Sequence, residues 1–94
     1  MKLVKVVKST RAGKKYTAVF EDDGHRFQTH FGAAGMDDYT LTHDKDQRAR
    51  YRARHKKDLK GDYTRAGYLS FYILWGSSTS IRANIAAFKK RFHL

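Results

Sequence analysis

Lys45, Arg48, Arg50, Arg52, Arg54, Lys56, Lys57 and Lys60 crowd one short segment of this chain, opposed there only by Asp44, Asp46 and Asp58. Cations at this density can track a phosphate backbone and release its condensed counterions, and an arginine fork can also grip a phosphate or a guanine edge. The competing reading is a solvated helix face whose arginine stems cover a sheet. Tyr39, Tyr51 and Tyr63 interleave with the segment. They could stack on unpaired bases, or pack at the core edge with wet hydroxyls, which is the preferred reading for Tyr51.

Acid/base or metal chemistry would have to use His30, Asp37, Asp38, His43, Asp44, Asp46 and His55, because the chain has no cysteine. None of the usual ligand spacings occurs among them, and the alternating oxygens and final Glu of a calcium loop are missing. The aspartates are expected to cap turns and helix starts. Gly32-Ala33-Ala34-Gly35 lacks the Lys-Ser/Thr and the preceding buried strand of a phosphate cradle and is read as a connector. No catalytic residue, metal or cofactor is therefore assigned, and the sequence predicts a non-enzymatic protein.

The partner implied by composition is negative. Twenty Lys and Arg against nine Asp and Glu give a formal charge of +11, self-repulsion that a polyanion would relieve. Ninety-four residues with 40% apolar and 14% aromatic content support one packed domain. No apolar run is long enough for a membrane span, and lysines at every third place or so near the N-terminus spoil a secretion signal. The protein is expected to be soluble and not secreted.

The elements that must position the basic segment follow from periodicity. Leu3–Lys8, Lys15–Glu21 and His25–Phe31 read as strands. Lys15–Glu21 alternates, with Tyr16, Ala18 and Phe20 on one face, and Asp23-Gly24 is a hairpin signal. Residues 32–43 read as a connecting loop and 44–94 as helical. Asp44 with Gln47 forms a passable capping box for a first helix ending before Gly61. Its Tyr51, His55 and Leu59 make a thin docking stripe opposite Arg50, Arg54 and Lys57. Asp62 or Thr64 can cap a second, fully buried helix over Arg65–Trp75. The Ser77–Ser80 run supplies the cap for a third, carrying Ile81, Ile85, Phe88 and Phe92 in one stripe. Lys89, Lys90 and Arg91 close that helix at its negative dipole end, so the row Arg50, Arg54 and Lys57 is the freer to serve a partner. The predicted fold is α+β: a three-stranded antiparallel meander (1–31) packed against two or three C-terminal helices, in one domain. Tyr16, Phe20, Phe27, Leu69, Ile73, Trp75, Ile81, Ile85 and Phe88 form its expected core.

Several stretches carry a resemblance: Lys15-Tyr16-Thr17-Ala18-Val19-Phe20 with Asp23-Gly24, His30-Phe31-Gly32-Ala33-Ala34-Gly35-Met36-Asp37-Asp38-Tyr39-Thr40, Tyr51-Arg52-Ala53-Arg54-His55, and Ala66-Gly67-Tyr68-Leu69-Ser70 leading to Ile73-Leu74-Trp75. In these the chain resembles a family of small, basic, largely uncharacterised proteins of large double-stranded DNA viruses of algae and amoebae. Such proteins often carry a proline before the last helix, where this chain has Ser77-Ser78-Thr79. The resemblance implies a viral protein in the virion or in the host cytoplasm at the viral factory, and transfers no activity. The leading expectation is a nucleic-acid binder, of DNA more than RNA, with low sequence specificity, using the eight cations named above. The alternative is a minor capsid or internal virion protein that meets acidic protein surfaces.

Overall fold

The computed structural model describes all 94 residues. β1 (Lys2–Lys8), β2 (Lys14–Asp22) and β3 (His25–Ala33) form an antiparallel meander in the order β1-β2-β3. The helical part follows: α1 (Tyr39–Thr42), α2 (Lys45–His55) with a 3₁₀ turn over Lys56–Asp58, α3 (Ala66–Leu69) continuing as a π-helix over Ser70–Leu74, and α4 (Ile81–Arg91). The α+β class read from the sequence is the class observed.

Asp23 and Gly24 join β2 to β3 with φ of 52° and 81°, the left-handed pair that matches a tight turn to the twist of its strands. Phe20, Phe27 and Phe31 share a sheet face through the pairs Phe20↔Phe27 and Tyr16↔Phe31. Leu3, Ala18, Phe20 and Phe31 form one cluster with Tyr39, Leu69, Ile73, Leu74, Trp75 and Phe88 from the helical half. Gly32 sits where the sheet meets that half: with φ at 78°, a Cβ there would lie 2.8 Å from Leu74 Cδ1. The glycine is a point of close packing, and β3 runs on through it to Ala33.

The core differs from expectation in instructive places. Phe27 is 38% exposed, because β3 is an edge strand and the helices cover its Phe31 end, leaving Phe27 to stack on Phe20 at 5.3 Å. Tyr16, Ile81 and Ile85 are only partly buried, at the rim of the cluster. On β2 both faces are closed, Thr17 and Val19 included, since the strand is central and each has a neighbour on either side: Val7 and His30 for Thr17, Lys5 and Gln28 for Val19.

The segment 32–43 is more structured than a loop. Asp38 accepts from the Thr40 backbone N–H at 2.8 Å and caps α1, while its Oδ2 lies 2.6 Å from Lys15 Nζ. The two side chains are only 3% and 13% exposed. Asp38→Ala would uncap α1 and strand a shielded ammonium, so a loss of about 2–3 kcal/mol is expected, less than for a fully buried pair. Urea denaturation reads it; a loss below about 0.5 kcal/mol would show that water replaces the carboxylate.

The second helix departs most from its expected form. It winds as α over Ala66–Leu69 only, then widens so that Trp75 N–H reaches Ser70 O at 3.0 Å, an i→i+5 bond. Phe71, Ile73, Leu74 and Trp75 are all buried as a result. Asp62 accepts from Thr64 N–H and Oγ1, which closes the preceding turn and holds the Asp62 carboxyl below its usual pKa; α3 itself has no side-chain cap. Beyond the π-turn, the buried Asn84 of α4 donates to Ile73 O at 2.8 Å and Ser78 O at 2.7 Å and accepts from Ser78 N–H. That amide ties α4 to the connection before it.

Candidate nucleic-acid interface

The basic helix α2 is set by local chemistry at both ends. Asp44 Oδ1 accepts from the Asp46 and Gln47 N–H groups at 3.0 Å, and Asp46 in the first turn and Arg52, Arg54 and His55 in the last complement the dipole. Gln47 does not close the expected capping box: its Oε1 accepts from Thr42 Oγ1 instead.

No residue of α2 is fully buried. It docks through Tyr51, which stacks on Trp75 at 4.2 Å and on His55 at 4.1 Å. Burial raises the Tyr51 hydroxyl pKa, the Asp58 carboxylate adds to the rise, and Arg54 opposes it. Arg48 and Arg52, one helical turn apart, complete the docking face. Arg48 Nε donates to Gly76 O at 2.6 Å. Arg52 Nη1 donates to Phe71 O and Trp75 O, with its guanidinium carbon 4.0 Å from the Phe71 ring centre.

Two of the eight predicted site residues therefore face the protein: Arg48 and Arg52 donate to the carbonyls of Phe71, Trp75 and Gly76, in and just after the π-helix. An i, i+4 arginine pair looks in sequence like the exposed Arg50 and Arg54 pair, and Tyr51 lies between the two on the helix, so only the packing against residues 71–76 decides which pair turns inward. The tyrosines pack against the protein, as preferred for Tyr51. Tyr39 is buried beneath Arg48, Tyr51 is stacked by two protein rings, and Tyr63 stacks on Phe92 at 4.9 Å.

The remaining six, Lys45, Arg50, Arg54, Lys56, Lys57 and Lys60, are exposed and enter none of the ion pairs of the structure. Of the nearby carboxylates, Asp44 is engaged at the helix cap and Asp58 with His55 Nδ1 at 2.9 Å, while Asp46 stands in the first turn of α2. Arg50, Arg54 and Lys57, spaced i, i+4 and i+7, form one ridge, which lies beside Tyr51 rather than opposite it, since Arg54 is close enough to act on the Tyr51 hydroxyl. The titratable groups considered for catalysis do not converge, since no three His, Asp or Glu side chains gather at one point.

A model of a family of unknown function, DUF5754, matches residues 4–55. The chain belongs to this family. The matched stretch holds the sheet except Lys2 and Leu3 of β1, together with α1 and α2, hence Arg50 and Arg54 as well as the inward pair, while Lys56, Lys57, Lys60 and the two last helices lie beyond it. No curated protein and no solved structure matches the chain. No helix is long and apolar enough to cross a membrane.

Proposed function

We propose that this protein binds nucleic acid, DNA in preference to RNA and with low sequence specificity, through the outer face of α2 and the turn after it. The observation that carries the reading is the set of six exposed cations without ion-pair partners on α2 and the turn after it, in a chain of net charge +11. α2 has eleven residues and is therefore about 16 Å long. Each DNA strand presents one phosphate per about 3.4 Å of axis, so about five phosphates of one strand lie along α2, which carries Lys45, Arg50 and Arg54, with Lys56, Lys57 and Lys60 following it. Recognition is of the backbone, because the tyrosines that could have stacked on bases already stack within the protein. We place this binding in a viral factory or particle, following the resemblance of the chain to proteins of large DNA viruses.

Fluorescence anisotropy with a labelled duplex across a salt series tests the reading. Affinity is expected to fall with a log–log slope of about −0.9 per phosphate contact, so about −3.6 to −5.4 for four to six contacts. Absence of binding at about 50 mM salt overturns it, and polyglutamate competing as well as DNA at equal charge would favour the acidic protein surfaces of a virion instead.

A further inference from the structure

The two basic clusters that are distant in sequence, Lys45–Lys60 and Lys89–Arg91, meet across a groove between α2 and α4. Two adjoining cavities of about 360 Å³ and about 380 Å³ share Arg52, Tyr72 and Arg91 as a common wall. Lys90 lines the first and Lys56 the second, and neither is lined by an Asp or Glu. Phe71, Tyr72 and Phe88 supply an aromatic floor, with the Arg91 guanidinium carbon 4.9 Å from the Tyr72 ring centre and that of Arg52 at 5.9 Å.

Arg52 is divided in its duties. Nη1 is committed to Phe71 O and Trp75 O, whereas Nε and Nη2 have no protein acceptor and are not sealed from solvent. Burial and the like charges of Arg48 and Arg91 pull its pKa below the usual arginine value, partly offset by Tyr72, so these cations repel one another with no carboxylate between them. A bound anion relieves that repulsion. A phosphate group offers several oxygens to donors arriving from different directions, the geometry for which arginine forks are suited, and the lysines add point charges.

We infer that the groove between α2 and α4 is a phosphate-binding site, in which Arg52, Lys56, Lys90 and Arg91 hold a phosphate monoester or pyrophosphate group over the Tyr72 floor. The site goes beyond strand binding by the outer ridge of α2 and gives Lys90 and Arg91 a role in addition to closing their helix.

Titration of the protein with pyrophosphate at constant ionic strength, followed by the arginine Nε–H NMR signals, tests it. Arg52 and Arg91 are expected to shift saturably while Arg50 and Arg54 do not. Arg91→Gln and Ala87→Glu, the second placing a carboxylate in the groove without removing an arginine, are each expected to weaken binding about tenfold or more with dispersed, folded spectra retained. Shifts that stay linear and equal at all four arginines, or unchanged affinity in both variants, overturn the proposal. A 5′-phosphorylated oligonucleotide that displaces pyrophosphate better than its 5′-hydroxyl twin identifies a nucleic-acid end as the source of the phosphate, and equal displacement identifies a small free phosphate compound. Saturable pyrophosphate binding without duplex binding would leave the groove standing and overturn the strand reading; duplex binding with a silent groove would do the reverse.

Discussion

Simultaneous replacement of Arg50, Arg54 and Lys57 by alanine is expected to weaken duplex DNA binding by about 10²–10³-fold near 0.1 M salt and to lower the salt slope by about 2–3. The magnitude follows from counterion release: each lost phosphate contact removes about 0.9 of a decade at that salt concentration. Stability is expected to stay within about 0.5 kcal/mol of the parent. The three side chains are exposed and unpaired, and alanine is the better helix former. The informative control is Lys2→Ala, Lys5→Ala, Lys8→Ala, three exposed lysines on β1 that remove the same charge. If both triple variants lose equal affinity, overall charge governs binding and α2 has no special part in it.

Trp75→Ala is expected to cost about 3–5 kcal/mol of stability. Trp75 is only 7% exposed and lies in the main core cluster. Its ring lies 7° from parallel to that of Tyr51, and its carbonyl receives Arg52, so one residue joins the core to the docking face of α2. Removing the indole leaves a cavity and frees Tyr51 from its larger partner. Thermal melting followed by circular dichroism is expected to show Tm lowered by well over 10 °C, at about 4–8 °C per kcal/mol for a domain of this size. Trp75→Phe, which keeps a ring against Tyr51, should recover a large part of the loss. A Tm within about 3 °C of the parent in the alanine variant would show that α2 docks by other means.

The sheet was legible because its signals are local. Alternation along Lys15–Phe20 and the Asp23-Gly24 pair need no knowledge of the rest of the chain to specify a hairpin. What covers the sheet is not local, and there the reading fails in particular ways. Phe27 and Phe31 have the same residue type and face but differ in burial, a difference made by where the helices end over β3. Asn84 gives no pattern of its own, because its partners are backbone carbonyls freed by the irregular stretch around Gly76. The π-winding of Ser70–Leu74 depends on the same neighbours, since Arg52 takes the carbonyls that it leaves open.

The candidate interface was legible as a density of charge, and not residue by residue. Hydropathy assigns every arginine to solvent, yet an arginine stem packs well on aromatic rings and its fork satisfies helix-end carbonyls, as Arg48 and Arg52 do here. Lys56 and Arg91 line the same groove although they lie far apart in the chain, which only the packing of α4 reveals.

The most direct test of the account is an NMR titration of the backbone amides with a short DNA duplex. Saturable shifts are expected to concentrate on Lys45–Lys60, strongest around Arg50, Arg54 and Lys57, and to leave β1 and the Asp23-Gly24 turn unmoved. Shifts spread evenly over every lysine-bearing surface, or centred on the outer face of the sheet, would contradict it.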